Sequence, residues 1–191
     1  APLISYSDYK DFVPASCVSP VDHMEARIDS TDPTKKPGEI LARGTNVMLG
    51  YYKNAEATAK AIEKDGWYHT GDLGTMSADG HIFILGRIKN MLLSANGQNI
   101  YPEEIEDQLN SLPMISESLV VQRDNRLVAL IYPDKDEIVN FTPSELEEIM
   151  EQNRQSLNNE LPVYSRIAAI EVHEEEFAKT PKKSIKRYLY H

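Results

Sequence analysis

The sequence predicts an α+β protein with a β-rich first half and a second half of about three strands and two helices. Up to about residue 88, short alternating or aromatic runs are separated by Gly, Pro and Asp, which is typical of strands and turns. After that point, runs with helical spacing follow strongly apolar runs. We therefore divide the chain into residues 1–88 and 89–191. No Pro/Gly linker marks this boundary, which indicates a hinge rather than a tether.

The first half is predicted to contain mainly strands and one clear helix. The predicted elements are strands at 23–30 and 38–44, a helix at 54–66, and two strands within 79–94. Asn54 is a favourable N-cap for the helix, and Gly66 is expected to end it. The two later strands are expected to meet near Gly86 and Arg87.

The second half has its own core pattern. The predicted elements are helices at 102–112 and 142–161, a hairpin at 116–133 and a strand at 168–173. Thr142 is the expected N-cap of the longer helix. Behind it, Leu146, Ile149 and Met150 recur with the spacing of one apolar helix face.

Composition and charge exclude several classes of function. The 191 residues include 20 Lys and Arg against 30 Asp and Glu, a net charge of −10, which argues against general binding to nucleic acid or anionic membranes. Cys17 is the only cysteine, so no intrachain disulfide is possible. No apolar run approaches the roughly 18 residues that span a bilayer, and the opening segment lacks a signal-peptide pattern. These features favour a cytoplasmic protein.

Asp72 and Arg87 are candidate ligand-binding residues. Asp72 lies in GWYHTGDLG (66–74), and its carboxylate can accept two hydrogen bonds from a vicinal diol such as a ribose. Arg87 offers a fork of donors suited to phosphate or ribose oxygens. A hairpin between the two residues would bring both to one cleft. The alternative is structural, with a strand entering a tight turn that Asp72 caps and with Arg87 as a surface charge.

Gly97 marks a loop that precedes the first helix of the second half. A glycine between Asn96 and Gln98 permits close approach of another backbone or of a thin ligand. A simple hairpin turn is equally compatible with the local sequence.

Four segments together resemble the acyl-adenylate-forming, or AMP-binding, enzymes. They are GEILARGTNVMLGYYKN (38–54), GWYHTGDLG (66–74), GRIKNMLLSANGQNIYPEEIE (86–106) and KTPKKSIKR (179–187). Their order and spacing match this superfamily, which includes acyl-CoA synthetases, peptide-synthetase adenylation domains and beetle luciferases. Within it, the sequence is most similar to the fatty acyl-CoA synthetases (long-chain-fatty-acid–CoA ligases). The resemblance therefore implies a fatty substrate, which would allow an otherwise cytoplasmic protein to be held at the membrane periphery.

The resemblance implies a role for each candidate residue. Asp72 matches the aspartate that binds the ribose hydroxyls of ATP and of the acyl-adenylate, and Arg87 matches the arginine near the ribose and phosphate. Lys89 falls on the hinge of a mobile C-terminal domain. Gly97 falls in the loop that lines the pantetheine channel when the thioester forms. The implied small molecules are a carboxylic acid, ATP, CoA and magnesium, whose ligands would lie outside this chain.

The basic tail departs from the family pattern, in which one catalytic lysine follows a Lys-Thr-x-Ser-Gly-like run. In a gap-free alignment, the position of that lysine is occupied by Ser184. A cation is needed there to offset charge that develops during adenylation. A one-residue slip would supply Lys183, which we favour, and Lys186 is the second candidate. The remaining alternatives are a changed mechanism and a solvated basic tail.

Two motifs of the family are missing. A Ser/Thr/Gly-rich phosphate loop and a Tyr-Gly-x-Thr-Glu motif do not occur, and residues 1–10 resemble the segment that follows the latter. The resemblance therefore implies the C-terminal third of a longer enzyme. Residues 1–88 would be the distal part of its N-terminal domain and residues 89–191 its mobile C-terminal domain, with the rest of the N-terminal domain as partner.

The expected reaction joins a fatty acid to ATP, releases pyrophosphate, and transfers the acyl group from acyl-AMP to CoA after the C-terminal domain rotates. This chain alone is expected to be inactive, because the acyl pocket lies elsewhere. Two alternatives stay open. One is an adenylation module that loads a carrier protein, and the other is a non-catalytic adenylate-binding paralogue, which Ser184 favours.

Overall fold

A computed structural model describes residues 3–6, 13–17 and 19–190, so most of the opening segment 1–10 and its resemblance lie outside the described residues. The chain divides into two compact units, residues 1–89 and 90–191. Each unit combines β-sheet with helix, which confirms the α+β fold class.

The first unit is built on a four-stranded antiparallel sheet whose strands follow one another in sequence order. The strands are β1 (Met24–Asp29), β2 (Gly38–Gly44), β3 (Tyr68–Met76) and β4 (Ile82–Arg87), and the helix α1 (Ala55–Ala61) precedes β3. Buried Ile28, Ile40 and Ile82 form the centre of its core.

Helix α1 is shorter than the sequence predicted. Asn54 is the N-cap, and its side chain accepts a hydrogen bond from the Ala57 N–H at 2.9 Å. The helix ends at Ala61 rather than at Gly66, because Ile62 adopts an extended backbone and pairs with Tyr68 of β3. Strand pairing therefore ends this helix before its glycine.

The prediction of two strands meeting near Gly86 and Arg87 was partly wrong. Strand β4 ends at Arg87, and Ile88–Asn90 form a single 3-10 turn. The next strand, β5 (Leu92–Leu93), has only two residues. It pairs with β6 (Asn99–Ile100) and not with β4.

The second unit contains a three-stranded mixed sheet. Its elements are α2 (Pro102–Leu109), β7 (Ile115–Arg123), β8 (Arg126–Pro133), α3 (Pro143–Glu160) and β9 (Ile167–Val172). The predicted hairpin is confirmed: β7 and β8 pair antiparallel around Asp124 and Asn125, whose φ values of +48° and +60° are those of a tight hairpin turn. Strand β9 pairs parallel to β8 after the α3 crossover.

Helix α3 covers one face of this sheet as the sequence predicted. Thr142 forms a capping box with Glu145, in which each side chain bonds the other residue's backbone N–H. Met150 is buried, and Leu146 and Ile149 pack against the same core. That core contains Ile100, Ile105, Leu109, Ile115, Val120, Leu127, Ala129, Ile131, Met150, Leu157, Leu161 and Ile167.

Candidate functional site

Asp72 and Arg87 lie directly opposite each other on β3 and β4. Arg87 Nη1 donates a hydrogen bond to Asp72 Oδ1 and a longer one, at 3.4 Å, to the Thr70 carbonyl oxygen. The Asp72 and Arg87 side chains are 29% and 46% exposed. Among the described residues, no hydrogen bond reaches Asp72 Oδ2. The pair therefore presents a free carboxylate oxygen and several guanidinium N–H groups to solvent.

The backbone before Asp72 bulges but does not turn. Strand β3 runs through Thr70 and Gly71, so the tight turn considered as an alternative is not formed. Gly71 has a φ of +75°, a conformation that glycine adopts without strain. The register of β3 with β2 shifts between His69 and Leu73, the stretch that contains Gly71. The Asp72 N–H donates to Thr70 Oγ1 at 3.0 Å, and Thr70 Oγ1 donates to the Ile40 carbonyl oxygen at 2.7 Å. These bonds fix the backbone that carries Asp72.

His69 supports the same bulge, and sequence reasoning missed it. Its Nδ1 lies 2.8 Å from Glu39 Oε2, and its Nε2 lies 3.2 Å from Glu63 Oε1. The other oxygen of Glu39 accepts the Gly71 N–H at 2.9 Å. The hydrogen bond with Glu39, together with the charges of both glutamates, raises the pKa of His69. Glu39 lies 30 residues before His69 in the sequence, so only the strand register reveals this contact.

Lys89 lies in the 3-10 turn that follows β4, and its side chain is exposed. It is the last residue of the first compact unit. This is the place in the chain at which the sequence predicted a hinge.

Gly97 lies in the turn between β5 and β6. Its N–H donates to the Ser94 carbonyl oxygen at 2.9 Å, and the Gln98 N–H donates to Ser94 Oγ at 2.9 Å. Its φ of +78° favours glycine, and a Cβ at this position would meet no atom within 4 Å. The hairpin-turn interpretation is confirmed, and the turn leaves the Gly97 backbone open to a ligand.

The basic tail folds back on itself in a short loop. Lys179 pairs with Ile185, the Thr180 N–H donates to the Ser184 carbonyl oxygen at 2.9 Å, and Lys183 and Ser184 are exposed. Lys183 has a φ of +62°, in the left-handed region that favours glycine. A gap-free alignment places the glycine of the family pattern on Lys183, so this conformation favours Ser184, rather than Lys183, as the counterpart of the family lysine.

Lys186 is less exposed than Lys183. Its side chain is partly buried, and its N–H donates to the Ala178 carbonyl oxygen at 2.8 Å. Across the described part of the chain, its ammonium group has no ion-pair partner within 4.0 Å.

A largely buried ion pair holds the base of the tail loop, and no local sequence pattern predicted it. Arg187 Nη2 donates to Glu106 Oε2 on α2 and lies 3.8 Å from Glu103 Oε1. Glu106 Oε1 also accepts the Val120 N–H at 2.6 Å. Burial raises the pKa of Glu106, and the Arg187 guanidinium offsets part of that increase. The tail is thereby joined to both α2 and β7.

Neither a metal site nor a membrane span is found in the described residues. Within 3–6, 13–17 and 19–190, no group of three or more His, Cys, Asp or Glu side chains is arranged to hold a metal ion. No helix in these ranges is long and apolar enough to cross a bilayer.

Comparison with curated proteins relates the chain to CoA ligases. A long-chain-fatty-acid–CoA ligase of Escherichia coli O6:H1 is 40% identical over 126 residues, 63% of this chain and 22% of the relative. An indoleacetate–CoA ligase of Aromatoleum aromaticum is 46% identical over 101 residues, 50% of this chain and 19% of the relative. The chain thus spans about a fifth of the length of these two relatives.

Solved structures share the fold over nearly the whole chain. O-succinylbenzoate CoA synthetase of Bacillus subtilis, in complex with its acyl-adenylate intermediate, matches with a TM-score of 0.75 and 25% identity, covering 93% of this chain and 36% of that one. ATP-bound MatB of Rhodopseudomonas palustris matches with a TM-score of 0.75 and 24% identity, covering 97% of this chain and 37% of that one.

The second half of the chain matches a protein-family model. The model of the AMP-binding enzyme C-terminal domain matches residues 89–190, which is more than half of the 191 residues. This chain therefore belongs to the AMP-binding enzyme family and contains its C-terminal domain.

Proposed function

We propose that this chain is the C-terminal part of an ATP-dependent acid–thiol ligase that makes acyl-CoA from a fatty acid, ATP and CoA. The observation that carries the proposal is the solvent-facing Asp72–Arg87 pair, which stands immediately before an AMP-binding enzyme C-terminal domain. The long-chain-fatty-acid–CoA ligases among the relatives support a fatty acid as the substrate.

Asp72 and Arg87 would bind the nucleotide. The free Oδ2 of Asp72 accepts a hydrogen bond from a ribose hydroxyl, and the Arg87 N–H groups not engaged by Asp72 donate to ribose or phosphate oxygens. The rigid bulge at Thr70 and Gly71 keeps this carboxylate in place before ATP arrives. Magnesium, which accompanies ATP, would take its ligands from the part of the enzyme outside this chain.

Lys89 and Gly97 would serve the second half-reaction. Rotation about the exposed 3-10 turn at Lys89 would bring the open Gly97 turn to the reacting acyl-adenylate, where it would line the path of the CoA thiol. The CoA sulfur then displaces AMP from the acyl carbon. The rotation would thus place different residues of this chain at the acyl-adenylate in each of the two half-reactions.

The tail would supply the cation for adenylation from Lys183 or Lys186. Ser184 cannot carry that charge. Lys183→Ala and Lys186→Ala, each in the longer enzyme, separate the two candidates. The lysine in use is the one whose loss slows acyl-adenylate formation far more than it slows thioester formation from supplied acyl-AMP.

The proposed function is tested by assaying the purified longer enzyme with acids from acetate to palmitate, in the presence of CoA. Pyrophosphate release that depends on acid length, with consumption of CoA, is the expected result. Pyrophosphate release without consumption of free CoA would point instead to a module that loads a carrier protein.

A second candidate function is a non-catalytic adenylate-binding protein. Ser184 at the position of the family lysine, with left-handed Lys183 beside it, favours this candidate. Nucleotide binding without pyrophosphate release for any acid would support it over the ligase.

A further inference from the structure

Glu103 contacts two segments of the chain that have different roles in the proposed reaction. It is the second residue of α2, and its side chain is 26% exposed. Its Oε1 accepts a hydrogen bond from Asn90 Nδ2 at 2.6 Å and lies 3.8 Å from Arg187 Nη2. Asn90 directly follows the predicted hinge residue Lys89, whereas Arg187 directly follows Lys186 of the tail. One carboxylate oxygen therefore links the hinge side of the second unit to its tail.

The chemistry of the three side chains favours this arrangement. A carboxylate oxygen has two lone pairs, so Glu103 Oε1 can accept the carboxamide N–H of Asn90 and still attract the guanidinium group of Arg187. The helix dipole also favours an acidic side chain in the first turn of α2. Asn90 is half-buried and makes no other side-chain hydrogen bond with the described residues. Loss of Glu103 would therefore release the Asn90 side chain.

Glu103 is the weaker of the two acidic partners of Arg187. The guanidinium group donates a hydrogen bond to Glu106 Oε2, and the Glu106 side chain is more buried than that of Glu103. Because the Arg187–Glu106 pair remains when Glu103 is removed, the fold of the second unit is expected to persist in that variant. Glu103 thus contributes more to the exact position of the guanidinium group than to stability.

The position of the tail loop depends on Arg187. The loop runs from Lys179 to Arg187 and contains both candidate lysines, Lys183 and Lys186. The Lys186 N–H donates to the Ala178 carbonyl oxygen at 2.8 Å, so the backbone beside Arg187 is held against the residue that precedes the loop. A displacement of the Arg187 side chain therefore acts directly on the backbone of Lys186 and on the closure of the loop.

We propose that Glu103 is a positioning residue for adenylation, which keeps the tail loop in a fixed place relative to Asn90 when the C-terminal domain rotates. The inference rests on the proposed function, because it requires that a tail lysine supplies the cation for adenylation. Asn90 and Arg187 are the two ends of this connection, and Glu103 is its centre. A misplacement of about 1 Å at a reacting group can cost about a hundredfold in rate, so a small shift of the loop is enough to slow adenylation.

The first test measures amide hydrogen exchange in the 191-residue protein and requires no catalysis. Asn90→Ala changes only the end of the connection that does not touch the tail. It should accelerate exchange of the Thr180 and Lys186 N–H groups about threefold and leave the amides of β8 unchanged, and Glu103→Ala should accelerate the same tail amides more strongly. Asp107→Ala is the matched control, because Asp107 is an exposed acidic residue of the same helix and makes no ion pair with the described residues. It should leave the tail amides unchanged.

The second test measures the two half-reactions of the longer enzyme. Glu103→Ala should slow acyl-adenylate formation about tenfold and change thioester formation from supplied acyl-AMP by less than about twofold. Glu103→Gln should restore part of the lost rate, because its carboxamide oxygen still accepts the Asn90 N–H but no longer attracts Arg187. A general loss of stability would instead slow both half-reactions equally.

Tail amides that exchange at the unchanged rate in both Asn90→Ala and Glu103→Ala would overturn the inference, as would equal slowing of the two half-reactions by Glu103→Ala. An enzyme that forms no acyl-adenylate with any acid, but whose tail amides respond to both substitutions, would refute the ligase and support the connection between Asn90 and the tail. An active ligase in which neither the tail amides nor the ratio of the half-reactions responds would refute only the positioning role of Glu103.

Discussion

The two units of this chain differ in how their structures are held together. The second unit has the large apolar core under α3 and a second buried cluster, centred on Leu119, Leu130 and Phe177, on the other sheet face. In the described part of the first unit, the buried core cluster consists of Ile28, Ile40 and Ile82. The single tryptophan of this unit, Trp67, is covered by Arg27 and Arg43, whose guanidinium carbons lie 4.4 and 4.6 Å from the ring centroid. Burial thus stabilises the second unit, whereas the first depends more on sheet pairing and surface groups.

The charged pairs follow the same contrast. Asp72 and Arg87 are partly exposed, and such a pair contributes little to stability and can exchange one partner for a ligand. The Glu106 side chain is 9% exposed and that of Arg187 is 23% exposed, so removal of one partner leaves an uncompensated, largely buried charge. The Asp72–Arg87 pair is therefore available for binding, whereas the Arg187–Glu106 pair stabilises the fold.

The largest expected effect comes from the core of the second unit. Ile131 is fully buried, and Ile131→Ala is expected to lower the free energy of unfolding of this unit by about 2–5 kcal/mol. Hydrogen exchange of backbone amides reports each unit separately. Amides of β7 and β8 should exchange faster while those of β1 and β2 are unchanged. If amide exchange became equally faster in both units, the two units would unfold together, and their cores could not be compared as independent.

Arg187→Ala is expected to cost about 3 kcal/mol at neutral pH, because it leaves the Glu106 carboxylate buried without its cation. Burial already raises the pKa of Glu106, and loss of Arg187 raises it further. A raised folded-state pKa favours folding at low pH. The defect should therefore shrink as the pH falls below the raised pKa towards the ordinary value of about 4.3.

Urea unfolding at several pH values between 4 and 8 measures this effect. Glu106→Gln in the Arg187→Ala background is the control, since it removes the charge and should remove most of the pH dependence. A defect of equal size at every pH would show that lost packing, rather than the unpaired charge, destabilises the variant.

Lys183→Gly is expected to stabilise the second unit by about 0.5–1 kcal/mol, because glycine adopts a φ of +62° without strain. Lys182→Gly is the matched control, since Lys182 is the neighbouring exposed lysine and is not left-handed. It should be neutral or destabilising. Thermal unfolding of both variants tests the loop geometry, and a loss of stability in Lys183→Gly would contradict it.

The smallest expected effect concerns His69 in the first unit. Its hydrogen bond with Glu39 raises its pKa, so its contribution is complete below the ordinary histidine value of about 6.5 and is lost as the pH rises through the raised pKa. Because the side chain is partly exposed, the contribution is about 0.2–0.5 kcal/mol. His69→Gln should flatten the pH dependence of stability above pH 6. If the stability of His69→Gln depended on pH as strongly as that of the unchanged protein, His69 would not be the cause of that pH dependence.

Local signals in the sequence predicted most elements correctly. The N-cap at Thr142 and the hairpin within 116–133 depend on residues that are close in sequence, so both were predicted. The early end of α1 depends on pairing of Ile62 with Tyr68. Contacts of this kind require the strand register, which a single sequence does not contain.

In the candidate site too, contacts that depend on the strand register could not be predicted from the sequence. The Asp72–Arg87 pairing was expected from a predicted hairpin, and the structure places the two residues opposite each other. The contact of His69 with Glu39 joins different strands, and the ion pair of Arg187 with Glu106 joins residues that are 81 positions apart in the sequence. These contacts follow from tertiary structure and not from any local pattern.

Measuring the two half-reactions separately in the longer enzyme tests whether Asp72 and Arg87 hold the nucleotide. Asp72→Asn should slow both acyl-adenylate formation and thioester formation at least tenfold, because the nucleotide stays bound throughout. Gly97→Leu should slow only thioester formation, and thermal unfolding should verify that both variants remain folded. Unchanged half-reactions in Asp72→Asn would contradict the claim that this pair of residues holds the nucleotide.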